Sequence, residues 1–445
     1  MRKKNSPKVV SLFVGCGGLD YGFKQEGFDL VYSCDNDPAA IKVYTRNVDP
    51  RGYVRDVTSA EFHSDIRNIG SCDVVIGGFP CQGFSKAGPK NESDHRNLLY
   101  KEMKRAIEEL QPKVFLAENV DGLSQNFKGK FLYEIVSDFA SIGYKVEYRI
   151  IDAVSYGVPQ HRRRIFFIGT KQDRDFFWPN STHFSLARNG EFAISGSSHS
   201  QEDLFASKLS LPVTVRDAIW ELRDINFKAP DHRVTKSWSE DDLEVFKAIK
   251  PGQKLCNVRF SDTSVYTWQI PSVFGEVDEE DIVVLETIGK NRRHKKYGSI
   301  PNGNPLPYEI IVQLSGLKSI KRRLNKLVKQ GYLKEKEGGY DLTGAMFCSG
   351  LYKRPEWDLP SPTILTLFDN PRYFLHPDQN RPFSLRECAR LQGFPDDFVF
   401  TETDSIKELR DGYRLVGNAV PPILSTKFAI SIKQYLKDGA KYEAA

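Results

Sequence analysis

The chain holds no Cys-x-x-Cys pair; its seven cysteines are scattered over 445 residues with no histidine at metal-ligand spacing. That scatter argues against a zinc cluster and a disulfide framework, and predicts no metal and a reducing cytoplasm. No run approaches eighteen uninterrupted apolar residues, so no membrane span is expected. The basic start, Met1-Arg2-Lys3-Lys4, lacks the apolar core of a signal peptide. Internal repeats are absent, and so is a dominant charge: 63 Lys and Arg face 58 Asp and Glu, a net +5. An excess this mild says little about a nucleic-acid partner. What is present is an ordinary globular composition, 40% hydrophobic and 27% charged, in a chain too long for one core. Two or three domains are expected.

From residue 8 to about 170, short β-branched runs alternate with helix-like segments. Val9 to Phe13 reads as a strand ending in a glycine-rich turn, and Leu19 to Glu26 as a helix stopped by Gly27. Leu30 to Cys34 is the next strand, ending at Asp35, and Pro38 to Asn47 the next helix. Asp73 to Ile76, Val114 to Ala117 and Arg164 to Ile168 repeat the strand pattern. Such alternation predicts an α/β fold with a mostly parallel, doubly wound sheet, which binds ligands beyond the carboxyl ends of its strands. Residues 185–210, rich in Ser, Asn and Gly, read as loop or linker, and 211–380 as short mixed segments. The α/β style returns at Ser384 to Pro395, and a helix follows Pro422. The expected architecture is a catalytic domain built from 1–175 and 383–445, with a smaller domain, 176–382, inserted between.

Every motif sits at a predicted strand end. Phe13-x-Gly15-x-Gly17-Gly18 offers backbone amides and a helix N-terminus to an anionic group. Asp35 stands where a carboxylate grips ribose hydroxyls, and Asp56 follows the next candidate strand. Each aspartate alone reads as a turn residue; jointly with the glycines they fit an adenosine-containing ligand. The glycine spacing departs from G-x-G-x-x-G, which disfavours a nicotinamide oxidoreductase. Gly78-Phe79-Pro80-Cys81-Gln82 delivers a thiol to an open loop, where a lowered pKa is possible. Cys16, Cys34 and Cys72 read as packing cysteines.

Together with Glu118-Asn119-Val120, Gln160-x-Arg162-x-Arg164 and Gly417-Asn418-Ala419-Val420-Pro421-Pro422, this ordered set resembles the DNA (cytosine-5)-methyltransferases. The resemblance covers roughly 8–170 and 383–435. It implies a Rossmann-like S-adenosylmethionine-dependent methyltransferase fold with an inserted target-recognition domain. By resemblance, Phe13, Gly15, Gly17, Gly18, Asp35, Asp56, Pro80, Leu99, Asn418 and Ala419 hold S-adenosylmethionine. Cys81 is implied as the nucleophile on C6 of a flipped cytosine, Glu118 as the partner of N3, and Arg164, less directly Arg162, as contacts to O2. Ser85 in a Gly-flanked loop and Gln160 are placed beside the DNA, with Gln160 expected chiefly to order the neighbouring backbone. The implied partner is double-stranded DNA, bound by a monomer in a prokaryotic cytoplasm, with a cognate restriction endonuclease acting on the same site without a stable complex. The alternatives are a tRNA cytosine methyltransferase, disfavoured by the long insert and the missing second catalytic cysteine, and an inactive DNA reader, disfavoured by the intact Cys81, Glu118 and Arg164.

One segment goes beyond the family pattern. In residues 278–343, Ile282, Leu285 and Ile288 form one helical stripe, Tyr308 to Leu314 a second helix, and Leu317 to Val328 a third, with Gly331 as its cap. A hairpin is expected around Glu337-Gly338-Gly339. Three helices and a hairpin resemble a winged helix-turn-helix, with Lys321 and Arg322 expected on DNA. A helical insert made soluble by its charges is the competing reading.

Overall fold

Val9, Val10 and Leu12 are β-branched or branched residues with no exposed surface, and they form the strand on which the largest sheet is built. The structure is a computed structural model. It describes residues 6–80, 99–124, 129–171, 174–186, 192–193, 209–224, 226–234, 237–300, 303–343, 350–367, 370–403 and 405–443. The strands are β1 (Lys8–Leu12), β2 (Asp29–Asp35), β3 (Gly52–Val54), β4 (Val74–Gly77), β5 (Val114–Val120), β6 (Lys145–Asp152) and β7 (Arg163–Thr170). They form one seven-stranded sheet in the order β3-β2-β1-β4-β5-β7-β6. The first five strands pair in parallel, whereas β7 runs antiparallel to both β5 and β6. The sheet is therefore mostly parallel, with a reversed pair at one edge.

Parallel strands need helical crossovers, and these cover the sheet on both faces. Helices α1 (Gly18–Gln25), α2 (Pro38–Asn47), α3 (Ala60–Ile69), α4 (Tyr100–Leu110) and α5 (Lys130–Ala140) connect the strands. Because strand side chains alternate, Val10, Leu12, Val75, Phe115, Ala117, Ile165 and Phe167 share one face. They pack there with Phe62, Met103, Ile107 and Phe139 from α3, α4 and α5. On the other face Phe166 meets Phe428 of the helix Pro422–Glu443, ring centroids 4.5 Å apart.

The chain divides into two compact units. The first is Met1–Arg233, Asp358–Leu367 and Ser384–Ala445; the second is Val234–Trp357 and Phe368–Phe383. Residues 176–233, expected at the start of the inserted domain, thus go with the first unit. Their attachments explain why. Val215 N donates to the Leu359 carbonyl at 2.9 Å. Asp231 accepts from Arg386 Nη2, from the amides of Phe400 and Thr401, and from Thr401 Oγ1.

The second unit contains two apolar clusters. One gathers Phe246, Ile249, Leu255, Ile270 and Leu375. The other is built from the helices Glu279–Asn291, Tyr308–Ser315 and Lys321–Gln330 and a three-stranded antiparallel sheet. In that sheet the strand Gly339–Leu342 lies between Leu306–Pro307 and Leu333–Lys336. The hairpin turns at Glu337 and Gly338, both at positive φ (51° and 73°), the geometry of a tight two-residue loop. Arg292 at the end of the first helix bonds both oxygens of Asp341 on the central strand, at 2.6 and 2.9 Å. Among the described residues no single helix is long and apolar enough to cross a membrane.

Candidate active site

The turn after β1 is forced into unusual backbone. Phe13, Gly15 and Gly17 all have positive φ, at 57°, 54° and 94°. The bend turns the Gly15 amide onto Asp35 Oδ2 at 2.9 Å, while Asp35 Oδ1 accepts the Asp37 amide at 3.0 Å. Both carboxylate oxygens are thus oriented by backbone at the carboxyl end of β2. Burial pushes the Asp35 carboxyl up, and the Gly15 and Asp37 amides act against that rise. Asp56 is exposed after β3, and the Thr58 amide and hydroxyl on its Oδ1 hold its pKa down.

Residues from the far end of the sequence close the loop. A Cβ on Gly18 would lie 2.2 Å from the Val420 carbonyl oxygen and 3.2 Å from Ala419 Cβ. Only glycine permits that approach. It sets the loop against Asn418, the last residue of the helix Ile406–Asn418, and Ala419, its cap. The sequence-predicted cofactor residues Gly17, Gly18 and Ala419 are therefore brought together, and Asn418 beside them is exposed. Leu99 caps α4 and packs against the main core cluster, as does half-buried Phe13.

Under this loop lies a polar network with no assigned role in the motif set. Asp20 is fully buried and accepts from Ser11 Oγ at 3.0 Å, Tyr44 Oη at 3.1 Å and Ser33 Oγ at 3.5 Å. Burial outweighs these donors and pushes its carboxyl up to about 7.

Two strands further along, Glu118 and Arg164 face each other across β5 and β7. Arg164 Nε lies 3.0 Å from Glu118 Oε1, and both side chains are largely enclosed. Burial still raises the Glu118 pKa, with Arg164 and then Arg162 pulling it down. Next in line, buried Asn119 donates from Nδ2 to the Phe79 carbonyl at 3.0 Å and accepts the Val120 amide at 2.8 Å. Asn119 so anchors the segment that leads through Pro80 to Cys81. Its place in the Glu-Asn-Val motif was the only signal for it, since a side chain bonding to backbone leaves no pattern in sequence. Cys81 and Ser85 lie outside the described residues.

Arg162 and Gln160 are both buried, and Gln160 orders neighbouring backbone as expected. Arg162 is 1% exposed and donates to the carbonyls of Ile364 at 3.3 Å and Gly417 at 2.8 Å. Its guanidinium joins β7 to two later segments of the first unit instead of presenting itself to a base. Burial acts against its charge, and Glu118 acts for it. Gln160 has no exposed surface. Its amide donates to the Leu391 carbonyl and the Gln392 side chain, and its oxygen accepts the Ile364 amide. Gln392 in turn donates to the Ala419 carbonyl at 2.5 Å. Gln160 is therefore a brace behind the cofactor loop and is not open to DNA. Lys321 also departs from its assignment. Its amine donates to Tyr340 Oη at 2.5 Å and lies over that ring, whereas the neighbouring Arg322, exposed as Lys321 is, has no side-chain partner among the described residues.

A family model described as C-5 cytosine-specific DNA methylase matches residues 7–434. The Type II methyltransferase M.AgeI of Thalassovita gelatinovora is 30% identical over 96% of this chain and 99% of its own length. M.BanI of Aneurinibacillus aneurinilyticus, also a Type II methyltransferase, is 30% identical over 93% of this chain and 92% of its own. Among solved structures, a prophage-encoded E. coli protein described as a candidate DNA modification methyltransferase superposes with a TM-score of 0.53 at 25% identity. The match covers 97% of this chain and all of that one. With the mostly parallel sheet, the glycine loop over Asp35 and the Glu118–Arg164 pair in one unit, the chain belongs to the C-5 cytosine-specific DNA methylase family and is a DNA (cytosine-5)-methyltransferase.

Proposed function

We propose that this enzyme methylates C5 of a cytosine flipped out of double-stranded DNA, by covalent addition of Cys81 to C6 and with S-adenosylmethionine as donor. The observation that carries this reading is the enclosed Glu118 carboxyl, 3.0 Å from Arg164 and one residue from the Asn119 anchor of the Pro80 segment, with its pKa raised by burial. Cytosine C5 is a poor nucleophile until a thiolate adds at C6. That addition forms a sulfur–carbon bond and drives electron density toward N3 and O2. A Glu118 that holds its proton shares it with N3, and the Arg164 guanidinium, with donors beyond Nε, faces O2. The resulting enamine makes C5 nucleophilic. After transfer, loss of the C5 proton and expulsion of the Cys81 thiolate restore the aromatic ring. A base inside the duplex stack is out of reach of all these groups, so the cytosine must leave the stack.

The residues present suit S-adenosylmethionine. A Cβ on Gly15 would meet nothing within 4 Å, so the loop borders open space. The carboxylates of Asp35 and Asp56 face a ligand that bears hydroxyls, an amine and a positive sulfonium. Asp35 would take the ribose, Asp56 the adenine amine, Phe13 the adenine face, and Asn418 with Ala419 the far side. The donor supplies an electrophilic methyl group.

The Type II relatives support a role in protecting host DNA from a cognate endonuclease, with the second unit reading the target and the enzyme acting as a monomer in the cytoplasm. The test is trapping on duplex DNA that carries 5-fluorocytosine. The fluorine cannot leave as a proton does, so the wild-type enzyme should stall as a covalent adduct when the cofactor is present, and Cys81→Ala should form none. A Cys81→Ala enzyme that methylates at near-normal rate overturns the mechanism.

A further inference from the structure

The second unit carries basic residues in excess of what its fold consumes, and the helix Lys321–Gln330 sorts them face by face. Arg323 lies against the start of the first helix, 2.6 Å from Asp278, 2.5 Å from Glu280 and 2.9 Å from Asp281. Lys326 joins the fully buried Asp281 at 2.5 Å. Lys321 is taken up by Tyr340. These three cations hold the three-helix cluster together.

The other face is unspent. Arg322, Asn325 and Lys329 recur at helical spacing and are exposed, with Lys318 just ahead of the helix. None of the four has a hydrogen bond or ion pair among the described residues. Lys334 on the following hairpin is likewise exposed and unpaired, beside Glu335 and the paired Lys336–Glu337. The helix follows a second helix and precedes a hairpin whose second strand, Gly339–Leu342, pairs with Leu306–Pro307. This order of elements is the one in which a third helix enters a DNA major groove.

We propose that residues 278–343 form a winged helix-turn-helix that docks on duplex DNA through Lys318, Arg322, Asn325 and Lys329, with Lys334 on the wing. Arg323, Lys326 and Lys321 serve the module's own packing and make no phosphate contact. Charge complementarity selects the occupant: this face offers cations and one amide, suited to phosphates and base edges and poor for an apolar partner. The inference rests on DNA being the substrate, but its readout is binding and not methyl transfer.

Two adjacent arginines supply the test. Affinity of the full-length enzyme for a short fluorescent duplex is measured by anisotropy across a salt series, alongside thermal melting. Arg322→Ala should leave melting unchanged and reduce the slope of log K against log salt by about 0.9, one phosphate contact. Adding Lys329→Ala should bring the loss to roughly 1.8. Arg323→Ala removes the same charge one residue away; it should lower the melting temperature and keep the slope. An unchanged slope in Arg322→Ala, or equal slope losses in the two arginine variants, overturns the proposal. The stated slope losses in the variants, together with a wild-type enzyme that binds DNA but transfers no methyl group, would overturn the catalytic reading and leave this one standing. Normal methylation with an unmoved slope would do the reverse.

Discussion

In the first unit Arg164 reaches Glu118 through one contact at 3.0 Å, and the carboxyl still holds a raised pKa; in the second, Arg292 grips Asp341 through two bonds at 2.6 and 2.9 Å. All four side chains are mostly or wholly enclosed. Burial removes water from a charge in both places, so the difference lies in how completely the chain replaces it. Asp341 is matched in two directions and also accepts the Leu342 amide at 2.9 Å. Glu118 has this ion pair and no hydrogen bond among the described residues. A matched pair holds helix to strand. A half-matched one keeps capacity for a group the chain itself does not supply.

The contrast breaks most severely if the matched pair is cut. Asp341→Asn keeps the shape but leaves Arg292 enclosed beside a neutral amide. Removing one partner of a buried pair costs about 3–5 kcal/mol. Hydrogen exchange should show this as faster opening of the amides in 321–330, with the β1–β5 amides unaffected. Protection retained in 321–330 would mean the pair is incidental to the module.

Next comes the half-matched carboxyl. Glu118→Gln cannot share a proton with N3, and loss of such a stabilising contact lowers turnover by about 10²–10³. Affinity for DNA and thermal stability should change little. If affinity and turnover fell together by the same factor, Glu118 would belong with Asp341 as a structural group.

The smallest effect concerns Asp20, a carboxyl in the first unit that is hydrogen-bonded but has no cation. Its folded pKa of about 7 lies above the usual value of 3.8. The native state therefore holds a proton that the unfolded chain has released, and stability falls as pH rises from about 4 to about 7. Asp20→Asn carries no proton to lose. The wild type should show a declining melting temperature across that window and the variant a flatter one. Parallel curves would mean Asp20 is ionised beneath the loop.

Much of the first unit was legible because its signals are local. Gly27, Pro38 and the β-branched runs bound α1, α2, β1 and β2 to within a residue or two of the structure. β6 was not found. Its Lys-Val-Glu-Tyr-Arg-Ile-Ile-Asp sequence is largely exposed at the sheet edge and lacks the continuous apolar run that betrays a doubly covered strand. The particular partners of Gln160 and Arg162 were hidden for a related reason. Polar residues near a catalytic motif invite a ligand, but apart from the Gln392 side chain their partners here are the backbone of Ile364, Leu391 and Gly417, which carries no residue-type signal. In the second unit the helices and hairpin followed from periodicity and Gly331. The division of α-helical cations into spent and unspent did not, because Asp278 and Asp281 precede Arg323 and Lys326 by about forty-five residues.

The approach of Gly18 to Val420 also has a consequence in time. The Cys16 thiol meets the Leu415 carbonyl and Ser425 meets Leu19, contacts that span 399 and 406 positions of chain. At ribosomal speeds of about 5–20 residues per second, the glycine loop waits roughly 20–80 s for its covering segment. Until then Gly18 and Gly22 border a surface meant for residues not yet made. A ribosome stalled before residue 415 therefore yields a chain that holds Glu118 and Arg164 but lacks the residues that cover Gly18 and Gly22. The loop is completed only after residues 415–425 have been made.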